Sequence, residues 1–264
     1  MSDNQHRLDH KKLPDKHICY EDDTEDGRCL NRHQARDTNS CSHQWQAFKR
    51  AEDDPSPYDW PAYQGMKAGT QVFFQGGSKY VAAPAKGDWD VKEGNFDSHC
   101  NRPYFHEAHH IVPNSTLAKA IAGSFDLQKL IYRVRGGLLD AEYNLNYKHN
   151  MIMLPLDKAV AAQLKLPRHR LLPAMAHRVY STFVETELKK HFMTIAAELD
   201  EDEHADLESA ASKEFLDQMA TLLYTNILLA GQEVHITALD EMTAEWFDPD
   251  SDSDSDSDSD VDMG

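Results

Sequence analysis

The chain has 264 residues, 40% of them hydrophobic, a mean hydropathy of −0.67 and a formal net charge of −18. This length suits one large domain or two small ones. No stretch of 18 or more apolar residues predicts a membrane span, and the N-terminus lacks the apolar segment of a signal peptide, so we expect a cytoplasmic protein that leaves its producer only through a dedicated machine.

The first part of the chain predicts little regular structure. Residues 1–60 are polar and without a sustained hydrophobic period, which predicts a loop-rich region ending near the Pro55-Ser56-Pro57 turn signal. Two short β-favouring runs follow, Thr70–Phe74 and Lys79–Ala82. They flank Gln75-Gly76-Gly77-Ser78, and together these segments predict a hairpin.

The four cysteines are too few for the disulfide framework of a small secreted domain, and they predict a reducing compartment. Three of them, Cys19, Cys29 and Cys41, have histidines nearby and are candidates for a structural zinc site. No Cys-x-x-Cys pair supports that site, so ordinary reduced thiols are the alternative. The cysteines and the neighbouring histidines are Cys19, Cys29, Cys41, Cys100, His17, His33 and His43.

In the second half of the chain, apolar residues recur mainly at the spacing of an α-helix. Apolar residues after Pro113 recur every three or four positions until Gly136-Gly137, which predicts a helix that ends there. Further amphipathic helices are predicted over Leu156–Leu166, Leu171–Leu199 and Leu207–Leu229. The apolar stripe of the second consists of Val179, Phe183, Leu188 and Phe192, which we expect to pack in the core. The Asp-Ser repeat predicts a disordered tail, residues 248–264.

Charge is distributed unevenly. Residues 247–264 contain eight Asp and no basic residue, whereas residues 101–191 contain thirteen Lys and Arg against seven Asp and Glu. Lys and Arg bind nucleic acid by replacing its condensed counterions. The middle of the chain therefore suits a polyanionic partner, although the protein as a whole is acidic.

Adjacent histidines in an extended segment are the first chemical signal. They occur in Glu107-Ala108-His109-His110-Ile111-Val112-Pro113. Neighbouring side chains of a strand point to opposite faces, so one imidazole can ligate a metal while the other acts as a general base. Structural histidines are the alternative.

Three further blocks follow in order: Asn150-Met151-Ile152-Met153-Leu154-Pro155, Leu166-Pro167-Arg168-His169 and His177-Arg178-Val179-Tyr180. Together with the first block, and over about residues 107–188, they resemble the AHH branch of HNH nucleases. The pattern of that branch runs Ala-His-His-hydrophobic-hydrophobic-Pro, Asn-x-hydrophobic-x-Leu-Pro, Leu-Pro-x-His and His-x-x-Tyr.

The resemblance implies an α+β fold in which a small ββα-metal core, about residues 104–190, is embedded in helices. Residues 61–247 would form the nuclease domain, with C-terminal helices over 200–247. One divalent ion, Mg, Zn, Mn or Ni, would be held by His109, His177 and His169. The implied reaction is metal-dependent hydrolysis of DNA phosphodiester bonds.

The resemblance also implies roles for the other residues. His110 would be the general base, and Asn150 would pin the loop between strand and helix and orient that base. Tyr180 would lie behind the metal ligands or contact phosphate. A phosphate clamp is expected among the nearby basic residues, with a solvated basic face as the alternative. These are Arg168, Arg170, Arg178, Lys148 and Lys165.

One departure from the family pattern concerns the last two histidines. His169 and His177 are eight residues apart with Pro173 between them, whereas the family usually separates this pair by four. Eight residues turn an ideal helix through about 800°, roughly 80° off register, so both reach one ion only if the segment kinks or its helix begins near Pro173. His177 is the safer ligand, and His169 has a phosphate contact as its alternative.

Proteins similar to the AHH group are commonly toxin modules of bacterial competition, including effectors delivered by type VI secretion. The resemblance therefore implies an antibacterial effector with a cognate immunity protein, a secretion carrier and no membrane insertion. Two other functions remain open. One is a ribonuclease on the same scaffold, and the other is a metal-stabilised nucleic-acid or partner-binding module without turnover.

Overall fold

The computed structural model describes residues 17–20, 27–32, 38–58, 71–74, 77–80, 106–170, 177–201, 209–233, 235–242 and 246. The predicted tail, 248–264, lies outside these residues. Within them the chain folds into six α-helices and two two-stranded antiparallel sheets, so the predicted α+β class is confirmed. No helix in the described ranges is both long and apolar enough to span a membrane.

Helix α1, His43–Asp53, lies inside the region predicted to be loop-rich. The hydroxyl of Ser42 caps it by accepting a hydrogen bond from the Trp45 N–H at 3.3 Å. The prediction of irregular structure is wrong here, because the buried face combines small and polar residues and so gives only a weak hydrophobic period. That face consists of His43, Gln46, Ala47, Phe48 and Ala51.

The first sheet is the predicted hairpin. Strands β1, Gln71–Phe74, and β2, Gly77–Tyr80, pair antiparallel, with Phe74 opposite Gly77. The second strand begins two residues earlier than the sequence predicts, and the hairpin is confirmed.

The second sheet joins two strands that are distant in sequence. Strand β3, His106–His110, pairs antiparallel with β4, Met151–Pro155, so that His106 lies opposite Pro155 and His110 opposite Met151. Between the strands the chain forms helix α2, Asn114–Ser124, helix α3, Gln128–Asp140, and a 3₁₀ turn, Lys148–Asn150. The adjacent histidines, His109 and His110, therefore lie at the end of a strand, and a long helical insertion follows them.

The single helix predicted between Pro113 and Gly136-Gly137 is wrong in two respects. The chain breaks at Phe125, the C-cap of α2, and Gly136-Gly137 lies within α3 instead of ending it. Gly136 is buried, and α3 packs against the last long helix, so tertiary packing offsets the low helix propensity of glycine.

Three helices complete the fold: α4, Lys158–Leu164, α5, Arg178–Glu201, and α6, Ser209–Ala230. They correspond to the three predicted helices, although α5 begins later than expected and residues 171–176 lie outside the described residues. Asp157 caps α4 by accepting hydrogen bonds from the Ala159 and Val160 N–H groups.

The apolar stripe of α5 also differs from the prediction. Val179 is 47% exposed, so it is not a core residue. The fully buried positions are Tyr180, Val184, Leu188 and Phe192, which recur every fourth residue and lie along one side of the helix.

The β3–β4 sheet separates two apolar clusters. Met151 and Met153 belong to a small cluster with residues of α1, whereas Ile152 and Leu154 belong to the main core with residues of α2, α5 and α6. Alternate residues of a strand bury opposite faces. Since His109 pairs with Ile152 and His110 with Met151, the two histidines lie on different faces of the sheet.

Candidate metal centre

Three histidines from three separate segments meet beside the main core. His109 comes from β3, His169 from the loop after α4, and His177 from the residue before α5. Their ring centroids are 4.7 Å apart for His109 and His177, 4.9 Å for His109 and His169, and 5.0 Å for His169 and His177. One ring nitrogen from each lies within 4.8 Å of the others, so the three can share one ion.

The eight-residue spacing of His169 and His177 is accommodated because they do not lie on one helix. The His169 N–H donates to the Pro155 carbonyl at 2.9 Å, which fixes His169 beside the end of β4. The His177 carbonyl accepts from the Ser181 N–H at 3.0 Å, so His177 immediately precedes the first turn of α5. Helix α5 begins at Arg178, after Pro173, and a helix that begins near Pro173 is one of the two arrangements that the eight-residue spacing allows.

Glu107 sets the orientation of His169. The His169 Nδ1–H donates to Glu107 Oε2 at 2.5 Å, and His169 Nε2 lies 3.1 Å from His109 Nδ1. Two nitrogens bound tetrahedrally to one ion lie ~3.4 Å apart, which is close to the observed separation. A carboxylate behind a ligating imidazole fixes its tautomer and raises its basicity, and this arrangement favours His169 as a ligand over a phosphate contact.

The donor atoms fit a divalent metal. Among the described residues, His177 Nδ1 is buried without a hydrogen-bond partner, and such an atom is costly unless a ligand satisfies it. Burial, followed by the charge of neighbouring histidines, lowers the pKa of His109 well below its usual value and that of His177 to about 3. Neutral imidazoles are the form that binds metal.

The charge state of the Glu107–His169 pair supports the same arrangement. Burial lowers the pKa of His169. Burial raises the pKa of Glu107, but the hydrogen bond from His169 and the charges of His169, Arg170 and Arg32 outweigh it and lower that pKa overall. The pair is therefore a neutral imidazole donating to a carboxylate.

His110 is held on the other face of the sheet. Its Nε2 lies 3.0 Å from Asn146 Oδ1. The Asn146 amide donates through Nδ2 to the Asn31 carbonyl at 2.8 Å, so its oxygen faces the imidazole. The proton of His110 accordingly resides on Nε2, which leaves the Nδ1 lone pair available to accept a proton.

Two further features describe the surroundings of His110. The ring of His43 from α1 stacks on it, with centroids 5.4 Å apart and an interplanar angle of 21°. Burial is the main reason that its pKa falls to about 4. His110 is thus neutral at physiological pH, as a proton acceptor must be.

Asn150 is buried and hydrogen-bonds to backbone groups of two neighbouring segments. Its Oδ1 accepts from the Val112 N–H at 2.7 Å, and its Nδ2 donates to the Leu145 carbonyl at 2.8 Å and the Val112 carbonyl at 3.2 Å. These bonds tie the segment after β3 to the segment before β4. The side-chain contact to His110 is made by Asn146, and the role of Asn150 in orienting that base stays a prediction.

The expected basic residues lie in different places. Arg168 donates to the Thr237 carbonyl at 3.2 Å and the Thr237 hydroxyl at 3.4 Å, so its guanidinium faces the C-terminal segment, which does not fit the predicted phosphate contact. Arg178 is exposed beside His177. Arg170 pairs with Glu107 at 2.8 Å, and the exposed Arg32 lies close enough to both for their charges to act on it. Lys148 is paired with Asp53 at 2.5 Å.

Tyr180 lies behind the histidines. Its ring is fully buried, 5.3 Å from His109 and 6.0 Å from His177 between centroids, and its hydroxyl donates to the Ile111 carbonyl. The phosphate-contacting role predicted for it does not fit this burial. The burial of Tyr180 fits its alternative predicted role, packing behind the histidines that are the candidate metal ligands.

Sequence reasoning missed several residues of the site. Glu107 has a local signal, because it is two residues before His109 and therefore on the same face of the strand. The others come from segments that carry no motif, and only long-range packing places them here. They are Asn31, Arg32, His43 and Asn146.

Comparison with known proteins gives one family. Residues 91–216, just under half of the chain, match AHH, a nuclease family of the HNH/ENDO VII superfamily with conserved AHH. The matched segment contains the three clustered histidines together with His110 and Asn150. Neither the curated proteins nor the solved structures yielded a significant match.

Proposed function

We propose that the chain is a metal-dependent endonuclease that hydrolyses phosphodiester bonds of DNA, because residues 91–216 match the AHH nuclease family of the HNH/ENDO VII superfamily. The family and the histidine cluster together support a metal-dependent nuclease. The observation that carries the proposal is the convergence of His109, His169 and His177 next to His110.

The roles follow from the contacts. His109, His169 and His177 would hold the ion, and Glu107 positions His169 through the 2.5 Å hydrogen bond. When bound there, a divalent ion would polarise the scissile phosphate and stabilise the leaving oxygen. The candidate ions are Mg, Zn, Mn and Ni.

The protein's own residues supply the proton transfer and the phosphate contacts. His110 accepts the proton of the attacking water through Nδ1, with Asn146 holding the opposite nitrogen. Arg170, Arg32 and Arg178 are the cations best placed to contact the phosphates on either side of the scissile bond. The excess of basic residues over 101–191 supports a nucleic-acid substrate.

A cleavage assay with two histidine variants tests the proposal. Supercoiled plasmid is incubated with the full chain and each divalent ion in turn, and total RNA is incubated in parallel. His110→Ala should abolish cleavage while circular dichroism and bound metal stay unchanged. His149→Ala is the matched control, because His149 contacts Asp217 and Thr221 of α6 and should retain activity.

Each other outcome has a defined meaning. Cleavage of the RNA without cleavage of the plasmid would show that the substrate is RNA and not DNA. Binding without cleavage by any form would favour a non-catalytic binding module and contradict the enzyme. Equal loss in His110→Ala and His149→Ala would contradict the assignment of the base.

We also propose, from the AHH resemblance, that the activity serves as an antibacterial toxin with an immunity protein and a secretion carrier. Inducing the full chain in a bacterial host should arrest growth and degrade the nucleoid, and His110→Ala should relieve both effects at equal protein level. Growth arrest that persists in His110→Ala would separate toxicity from nuclease chemistry, and normal growth with active enzyme would refute the toxin role.

A further inference from the structure

A second group of metal-ligating side chains lies in the N-terminal region, apart from the histidine cluster. His17, Cys29 and Cys41 each present a ligand atom, and the three atoms lie within 4.8 Å of one another. Cys29 and Cys41 are completely buried, and Cys19, Cys29 and Cys41 are all thiols. Three separate segments of chain converge to bring these groups together.

Backbone pairing explains the convergence. Ile18 and Arg28 exchange two hydrogen bonds, of 3.0 Å and 2.7 Å, in an antiparallel bridge, and this pairing places His17 opposite Cys29. The Tyr20 N–H donates to Ser40 Oγ at 2.8 Å, and the Ser40 N–H donates to the Tyr20 carbonyl at 3.2 Å. The segment that carries Cys41 is thereby held against the segment that carries Cys19.

Gly27 shows how closely these segments approach. A Cβ atom at this position would lie 2.5 Å from both the Ile18 carbonyl oxygen and Ser40 Oγ. Any side chain there would push the three segments apart, so glycine is required for the packing.

The distances suit a tetrahedral zinc ion. Cys41 Sγ lies 3.7 Å from His17 Nε2, and a thiolate and an imidazole bound to one zinc are ~3.6 Å apart. Cys19 and Cys29 both lie close enough to the Cys41 side chain to interact with it. The Asn31 N–H donates a hydrogen bond to Cys29 Sγ at 3.5 Å. Hydrogen bonds from N–H groups to sulfur stabilise a thiolate.

We propose that His17, Cys19, Cys29 and Cys41 bind one structural zinc ion. Three thiolates and one imidazole form a ligand set of closed structural zinc sites, which leave no position open for a substrate. Cys19 is exposed and lies outside the group of three ligand atoms that are within 4.8 Å of one another, so its thiol would move toward the ion to complete the set from the solvent side. The site stands independently of the nuclease proposal, because it shares no ligand with the histidine cluster.

The zinc would anchor the N-terminal segment to the part of the core that holds His110. The Cys29 N–H donates to the Tyr143 carbonyl at 3.1 Å, and the Cys29 carbonyl accepts from the Leu145 N–H at 2.7 Å. Two residues later, the Asn31 carbonyl accepts from Asn146. Ordering Cys29 therefore orders the residue that aligns the His110 imidazole.

Metal analysis and cobalt substitution of the full chain test this site. Cobalt(II) bound to thiolates absorbs strongly through sulfur-to-metal charge transfer, whereas cobalt bound to imidazoles alone does not, so the spectrum separates this site from the histidine cluster. We expect about one equivalent of zinc at this site, a thiolate spectrum that survives His177→Ala, and loss of both in Cys41→Ser.

Two further variants keep the proposal falsifiable if Cys41→Ser fails to fold. Cys19→Ser changes an exposed side chain and should weaken the charge-transfer band while the circular dichroism stays unchanged. Cys100→Ser is the matched control and should change nothing. The proposal would be overturned by a wild-type chain with no cobalt–thiolate band, by loss of zinc in Cys100→Ser, or by a mass spectrum showing a disulfide among Cys19, Cys29 and Cys41.

Discussion

Replacing Glu107 with glutamine tests the geometry of the metal centre most directly. The carboxylate accepts from His169 Nδ1 at 2.5 Å and from Arg170 at 2.8 Å. Glutamine keeps the shape and an accepting oxygen but removes the charge that strengthens His169 as a ligand. Losing such a partner typically weakens metal affinity about 10-fold to 100-fold, or roughly 1.4 to 2.7 kcal/mol of binding free energy.

The assay is calorimetric metal titration of the chelator-treated protein, followed by plasmid cleavage at increasing metal concentration. We expect Glu107→Gln to shift both curves to higher metal concentration by the same factor, with near-normal cleavage at saturation because His110 is untouched. Glu142→Gln is the matched control, since Glu142 pairs with Arg28 on the surface and its side chain is 61% exposed. Unchanged metal affinity in Glu107→Gln would refute the assigned role of His169.

Three further predictions concern the neighbouring residues. Asn146→Ala should lower kcat about 10-fold to 100-fold, a part of what a general base contributes, without changing metal affinity; a shifted metal titration would contradict this separation. Tyr180→Phe removes the hydroxyl that donates to the Ile111 carbonyl and should lower the free energy of unfolding by about 1 kcal/mol, measured by urea denaturation; no loss would refute that hydrogen bond. Metal-free protein should lose stability as pH falls from about 6.5 toward 4, because folding lowers the pKa of His110 to about 4 and that of His177 to about 3, so the unfolded chain binds more protons in this range. The His110 contribution alone is roughly 3 kcal/mol, and equal urea midpoints at pH 7.5 and pH 5 would contradict it.

The geometry of strand β3 connects these predictions. Glu107 and His109 lie on one face and His110 on the other, so the proposed metal binding and the proposed proton transfer depend on different neighbours. Variants on the first face should change metal affinity, and variants on the second should change kcat. This separation makes the two roles independently measurable.

Some features were readable from the sequence because they depend on local chemistry. Four features follow from short-range patterns: the adjacent histidines, the alternation of a strand, the hairpin around Gln75-Gly76-Gly77-Ser78 and the three helices α4, α5 and α6. The resemblance to the AHH branch of HNH nucleases implied His109 and His177 as candidate ligands. The structure describes each of these segments near its predicted bounds.

Other features were decided only by tertiary packing. His169 became a well-supported ligand only when Glu107, 62 residues away, was seen to orient it, and Asn146 was seen to hold His110 from 36 residues away. Helix α1 was not predicted, because its buried face gives only a weak hydrophobic period. Cys19, Cys29 and Cys41 were candidate zinc ligands from the sequence, but only the packing shows that His17 is the histidine beside Cys29 and Cys41. A sequence pattern shows which side chains share a face of a strand or helix. Which distant segments meet depends on how the whole core packs. That packing places His169 beside Glu107 and Asn146 beside His110.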